Sequence, residues 1–272
     1  MEVALRAADG HAIGATVFGN GPQAALIMPA TGVPQSYYAK YAAYLAERGF
    51  TVLTFDYRGI GRSRDGDVRR SSARMRDWAL LDAAEAVGFF GSDRLRIIGH
   101  SFGGQVLGLL PAPERTRAAL VVGSQSGYWR HWPLAGRLWM WPVVHFALPG
   151  TAKLLGYFPG SRLGFGEDLP PGVALEWASW CRHPQYLVGA LGAAERYARL
   201  RAPLRAYAIS DDPFAPLGPV KALLALYPGA RHELRRVTPR DLGAKSIGHF
   251  GFFRERFRDS LWRESADWLE ST

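Results

Sequence analysis

The sequence predicts an α/β protein, a mostly parallel sheet with helices on both faces, and three observations carry that expectation. Short apolar runs alternate with stretches of helical periodicity, an order that pairs strands in parallel because each helix must cross back over the sheet. Hydrophobic residues make up 48% of the chain and charged residues 21%, a globular composition. At 272 residues the chain can bury a large core.

The elements follow in order. "MEVALRAADGHAIGATVF" reads as two short strands around an Asp9–Gly10 turn. "AALIMP" (24–29) is a third strand running into a Pro/Gly-rich loop. "SYYAKYAAYLAERG" holds Tyr38, Tyr41, Ala42 and Leu45 at helical spacing, with Gly49 as the stop. "TVLTF" (51–55) is the fourth strand. A helix over 71–87 starts at a Ser pair suited to capping and carries Leu80, Ala83, Ala84 and Val87 on one face. "RLRII" then leads through a Gly-flanked turn into a helix reaching Leu110, followed by the strand "RAALVVG" (117–123). After residue 200 the alternation resumes with "LRAYAIS" (204–210), a helix near 219–227 and "HELRRVT" (232–238). A final amphipathic helix places Phe253, Phe257, Leu261 and Trp268 on one face.

Residues 124–200 break this rhythm. They hold Trp129, Trp132, Trp139, Trp141, Trp177 and Trp180, six of the nine tryptophans, and no strand pattern. Val173, Trp177 and Trp180 keep helical spacing. The expected organisation is a core of residues 1–123 and 201–272, interrupted by a helical, Trp-rich cap at 124–200. Most indoles should pack into the insertion itself, leaving some to line a pocket; Trp129, Trp132 and Trp177 are the substrate-binding candidates.

Composition excludes several function classes. The net charge is +9, yet the basic residues are mostly Arg and are interleaved with acids, and no nucleic-acid module accompanies them. Cys181 is the only cysteine, so no intrachain disulfide forms. The N-terminus has no signal-peptide pattern, and "LWMWPVVHFAL" (138–148) is too short to span a bilayer. A cytoplasmic protein without stable membrane insertion is expected. No residues show metal-ligand spacing, since His232 and Glu233 fall in a strand, and "GIGRS" lacks the third glycine of a dinucleotide fingerprint. No cofactor is implied.

The chemistry centres on "GHSFGG", where Ser101 stands between a strand and a helix with Gly99 and Gly103 two residues either side. Reactive groups of a parallel sheet belong beyond the carboxyl ends of its strands. Glycines at those positions let strand and helix approach while the serine takes a strained backbone, and the helix start offers free amides to an oxyanion. A serine nucleophile needs a base, and the base needs a partner that fixes its tautomer. Downstream, "AISDDPFAP" places Asp211 and Asp212 after a strand, and "SIGHFGFF" places His249 in a glycine-bounded loop. Ser, Asp and His thus occur in that order, each after a strand.

With "GHSFGG", "FDYRGIGRS" (55–63) after the fourth strand, the "D-x-x-[apolar]-P" loop and "GHF", the chain resembles the α/β-hydrolase superfamily over essentially its whole length, and especially an uncharacterised bacterial subgroup with "TGVPQ", "YRGIGRS" and "GHFGFF". The resemblance implies the α/β-hydrolase fold and a Ser101, Asp212 and His249 triad, since the family's acid stands four residues before the proline, here Pro216. Asp211 is then a neighbour suited to capping the loop. The resemblance also implies an oxyanion hole of two backbone amides. Phe102 supplies one. Aligning Thr31–Gly32 on the family's His-Gly makes Val33 the other, and a one-residue shift selects Gly32. Asp56, Arg58 and Gly61 are expected to fix a turn, and His100 to pack or bond within the loop rather than act as a second base. The expected reaction is hydrolysis of a small-molecule acyl ester or thioester. The rival readings are an acyltransferase with another acceptor and a non-catalytic binding protein. Serine at the elbow argues against the family's dehalogenase and epoxide chemistries, which use aspartate there.

Overall fold

The computed structural model describes residues 1–91 and 94–272. Eight strands form one sheet: β1 (Glu2–Arg6), β2 (Ala12–Phe18), β3 (Gln23–Met28), β4 (Phe50–Phe55), β5 (Arg96–His100), β6 (Ala118–Val122), β7 (Pro203–Ile209) and β8 (Arg231–Val237). Their order is β1-β2-β4-β3-β5-β6-β7-β8. The β1–β2 and β2–β4 pairs are antiparallel, and every later pair is parallel.

The central strands are apolar on both faces because helices cover both. On β6, Ala118, Leu120 and Val122 join one core cluster, while Ala119 and Val121 join the other. The first of these clusters includes Tyr38 from the turn before the helix Ala39–Glu47, Tyr41 and Leu45 from that helix, and Leu261 and Leu269 from the C-terminal segment. The second contains Trp78, Ala83 and much of 132–200. Parallel pairing brings the carboxyl ends of β3, β5, β6 and β7 to a single edge, so four sequence-distant loops meet there.

Three helices differ from expectation. The helical run expected from the Ser pair begins at Met75, where the Asp77 carboxylate accepts the Arg74 N–H (2.8 Å); Ser71 instead bonds the Ala73 N–H. The helix after Ser101 covers only Phe102–Gln105, followed by a 3₁₀ turn at Leu107–Leu109. Gly103, Gly104 and Gly108 lie in that stretch, and glycine disfavours sustained helix. The C-terminal segment changes pitch, with a π-turn at Arg258–Trp262 before Arg263–Ser271, yet buries Phe253, Phe257, Leu261 and Trp268 together as expected.

Between β6 and β7 the described residues form helices and one isolated bridge, Phe158 to Leu169. The longer helices here are Leu134–Pro142, Leu148–Leu155 and Pro171–Arg182. Val173, Ala174, Ala178 and Trp180 are buried on the last of these.

Candidate active site

Ser101 sits at φ 50° and ψ −111°, a strained conformation for a residue with a side chain. Its neighbours explain how the chain reaches it. A Cβ on Gly99 would strike the main chain of Gly104, and one on Gly103 would strike the Met28 carbonyl. The turn is therefore tight enough that only glycine fits two residues either side of the serine.

At the ends of β7 and beyond β8, His249 Nδ1 donates to Asp212 Oδ2 at 2.7 Å. The other carboxylate oxygen, Oδ1, accepts the N–H groups of Phe214 (2.8 Å) and Ala215 (3.0 Å). Both side chains are buried. A carboxylate anchored this way holds the imidazole with its proton on Nδ1, leaving Nε2 as an acceptor. Asp211 does different work. Its oxygens accept the N–H groups of Ile247 (2.9 Å) and Gly248 (3.1 Å), capping the turn that carries His249.

Ser101 and His249 line one cavity of about 160 Å³, with no hydrogen bond between them. Its other polar residues include Thr31 and Gln125, and most of its wall is apolar, with Met140, Leu148, Phe158 and Phe214 among the contributors. Gln125 Oε1 accepts from Gln105 (3.2 Å), which in turn accepts the Tyr186 hydroxyl (2.8 Å).

His100 is fully buried in a chain of hydrogen bonds. The Ala30 N–H donates to the Tyr38 hydroxyl (2.9 Å), which lies 2.8 Å from His100 Nδ1, and His100 Nε2 lies 3.0 Å from the His249 carbonyl. The polarity that satisfies every partner puts the His100 proton on Nε2. Burial, with the adjacent His249 adding to it, holds His100 well below the usual imidazole range, so it is neutral. It ties the β3 loop to the His249 turn, in keeping with a loop-bonded role.

Other expected residues divide. Asp56 accepts the Gln35 and Arg62 N–H groups (2.6 and 3.0 Å), and Arg58 pairs with buried Asp82 (2.7 Å); both fix the turn after β4. Trp132 and Trp177 line the cavity, but Trp129 does not: it lies in an outer groove with Arg130 and Leu138. Val33 does not line the cavity. Its N–H donates to the Ala30 carbonyl (3.2 Å) across a turn whose third residue, Gly32, has φ +71°. That turn directs Thr31, not Val33, to the cavity. Phe102 buries its ring against Tyr57 and Trp78 (centroids 5.5 and 5.6 Å), leaving its main chain beside Ser101.

Two neighbours of the pair were missed. Gly123 directly follows β6 at φ +56°, and a Cβ there would lie 3.1 Å from both Asp212 Oδ2 and His249 Nδ1. Phe214 packs edge-on to the His249 ring (5.4 Å). Gly123 follows a strand directly, which is the one signal that could have marked it. Among the described residues no group of three metal-ligating side chains occurs.

Solved structures share this architecture end to end. An esterase from Exiguobacterium antarcticum is 16% identical, with a TM-score of 0.66 over 99% of this chain and 100% of that one. A monoacylglycerol lipase from Paleococcus ferrophilus is 14% identical, with a TM-score of 0.64 over 95% and 98%. A bromoperoxidase from Bacillus anthracis is 13% identical, with a TM-score of 0.63 over the full length of both. Identities this low show a common fold, and the differing chemistries leave the substrate to the site itself. No curated protein sequence matches. The model of the alpha/beta hydrolase family matches residues 24–259, and the chain belongs to that family of hydrolases.

Proposed function

We propose that this chain is a serine hydrolase that cleaves a carboxylic ester or thioester through an acyl-enzyme on Ser101. The observation that carries the reading is the buried Asp212–His249 pair opening onto the same apolar cavity as strained Ser101. His249 Nε2 takes the Ser101 proton as Oγ attacks the acyl carbon, and Asp212 stabilises the imidazolium. The proton then passes to the departing alcohol or thiol. Water, deprotonated by the same nitrogen, attacks the acyl-enzyme, releasing the acid and restoring Ser101. Reactant and catalyst hydrogen bonds commonly tighten only when substrate binds, which accommodates the absence of a Ser101–His249 bond here.

The developing oxyanion is held by the N–H groups of Phe102 and Thr31. Thr31 replaces Val33 because its residue faces the cavity and its N–H is engaged by no hydrogen bond among the described residues. With a helix of only four residues after Ser101, this stabilisation comes from individual amides rather than a long dipole. Residues 124–200 act as a cap over a core of 1–123 and 201–272. Through Trp132, Trp139 and Trp177 they select an apolar acyl or alcohol group.

The test is product analysis. Hexanoyl esters and thioesters are supplied in water with and without an added alcohol. Free hexanoic acid as the main product supports the reading. Transfer chiefly to the alcohol would make the chain an acyltransferase, and no turnover of any acyl donor would make it a binding protein.

A further inference from the structure

Nine of the twelve large apolar side chains most exposed among the described residues lie within 134–165. There the helix Leu134–Pro142 continues through a π-turn, Val143–Ala147, into Leu148–Leu155. Met140, Val144, Leu148 and Ala152, four residues apart, form its buried face. On the outside, Leu134 is 74% exposed, Leu138 75%, Phe146 61% and Trp141 43%. A helix apolar on both faces belongs in an apolar environment on both, and the isolated chain supplies only one.

These outer residues form one surface. Leu134, Leu138 and Trp141 share a groove with Trp129 and Arg130, and the Trp141 ring meets Phe146 at 5.3 Å. The same helix sends Trp139 and Met140 into the cavity wall, so surface and cavity are two sides of one element. Along the chain this span carries charge of one sign, and Arg130 and Arg137 line the groove itself. Residues 115–166 contain no Asp or Glu, while Arg130, Arg137, Lys153 and Arg162 fall within them and join no ion pair among the described residues.

We propose that this face adsorbs reversibly to an anionic lipid bilayer. Leucine and aromatic side chains would enter the boundary between headgroups and acyl chains, with the basic side chains at headgroup level. No helix among the described residues is long and apolar enough to cross a membrane, so the mode is adsorption. A second copy of the chain would cover the apolar residues, but a symmetric contact would set Arg130 and Arg137 against their own counterparts with no carboxylate in the span to offset them.

The test is flotation with vesicles of phosphatidylcholine alone or with one-third phosphatidylglycerol. The chain should float with the anionic vesicles, at least ~10-fold more weakly with the neutral ones, and less in high salt. Arg130→Ala should weaken binding about fivefold, the effect of one basic side chain near an anionic surface. Combined Leu134→Ser, Leu138→Ser and Trp141→Ser should weaken it at least ~100-fold while the melting temperature and turnover of a soluble acetyl ester are kept. Ser101→Ala should float like the wild type, so a failure of the hydrolytic reading leaves this one standing. Wild type that ignores anionic vesicles would overturn the proposal, as would a triple variant that floats unchanged. A wild-type dimer that the triple variant converts to monomer would assign the face to self-association instead.

Discussion

Acyl-chain length should control turnover up to a limit set by the cavity. A dry cavity of about 150 Å³ accommodates benzene, six carbons, and the cavity beside Ser101 is about 160 Å³. Lengthening an ester from acetyl to hexanoyl adds four methylenes, each worth up to ~0.8 kcal/mol when buried. The full series should therefore raise kcat/KM by up to ~3 kcal/mol, on the order of 200-fold, with the gain fading beyond about six carbons. Trp177→Ala removes one apolar wall and should flatten the series, chiefly by lowering the hexanoyl rate. The assay is initial-rate hydrolysis of a homologous ester set, with melting temperatures recorded for both proteins. Equal rates for acetyl and hexanoyl esters, or a Trp177→Ala series as steep as the wild type, would refute the assignment of this cavity to the acyl or alcohol group.

Three further outcomes follow from named contacts. Asp212→Asn should lower kcat by roughly three to four orders of magnitude by reversing the His249 tautomer, whereas Asp211→Asn should cost far less; a reversed order in folded variants contradicts the roles given. Gly123→Ala combines φ +56° with contacts at 3.1 Å to both members of the pair. It should destabilise the fold by about 1–2 kcal/mol and reduce turnover at unchanged Ser101 accessibility, and wild-type kinetics would argue against a built-in constraint there. His100 is held neutral, its pKa below the ordinary 6.5. The stability it contributes is present above that value and is lost as pH falls below it, at up to ~1.4 kcal/mol per pH unit. Denaturant unfolding from pH 7.5 to 5.5 should show a shallower slope for His100→Gln; His131, also lowered by burial, keeps some slope in place. Identical slopes would contradict a buried neutral His100.

Local pattern carried much of this into the sequence. The central strands of the sheet are continuous apolar runs, and their order puts every following loop on one edge; Ser101, Asp212 and His249 stood out as candidates because each stands just past a strand or in a glycine-bounded turn. What the sequence hid depends on main-chain direction and on packing across distance. Val33 and Thr31 are two residues apart, and only the positive φ of Gly32 decides which faces the cavity. Trp129, Trp132, Trp139, Trp141, Trp177 and Trp180 look alike in composition. Yet Trp132, Trp139 and Trp177 reach the cavity, Trp129 and Trp141 turn outward, and Trp180 is core, because position around the helices Leu134–Pro142 and Pro171–Arg182 and in the turn at 129–132 sets where each ring goes. The tie from Tyr38 through His100 to His249 spans more than two hundred residues and has no local signature.

The central claim is that Ser101 is the nucleophile, activated by His249. Intact-mass measurement after exposure to a fluorophosphonate tests it most directly. Wild type should gain one phosphonyl group mapping to Ser101, Ser101→Ala should gain none, and His249→Ala should react at least ~100-fold more slowly, as expected when the general base is removed. Labelling of Ser101→Ala at the wild-type rate, or an adduct mapped to another residue, would contradict the account.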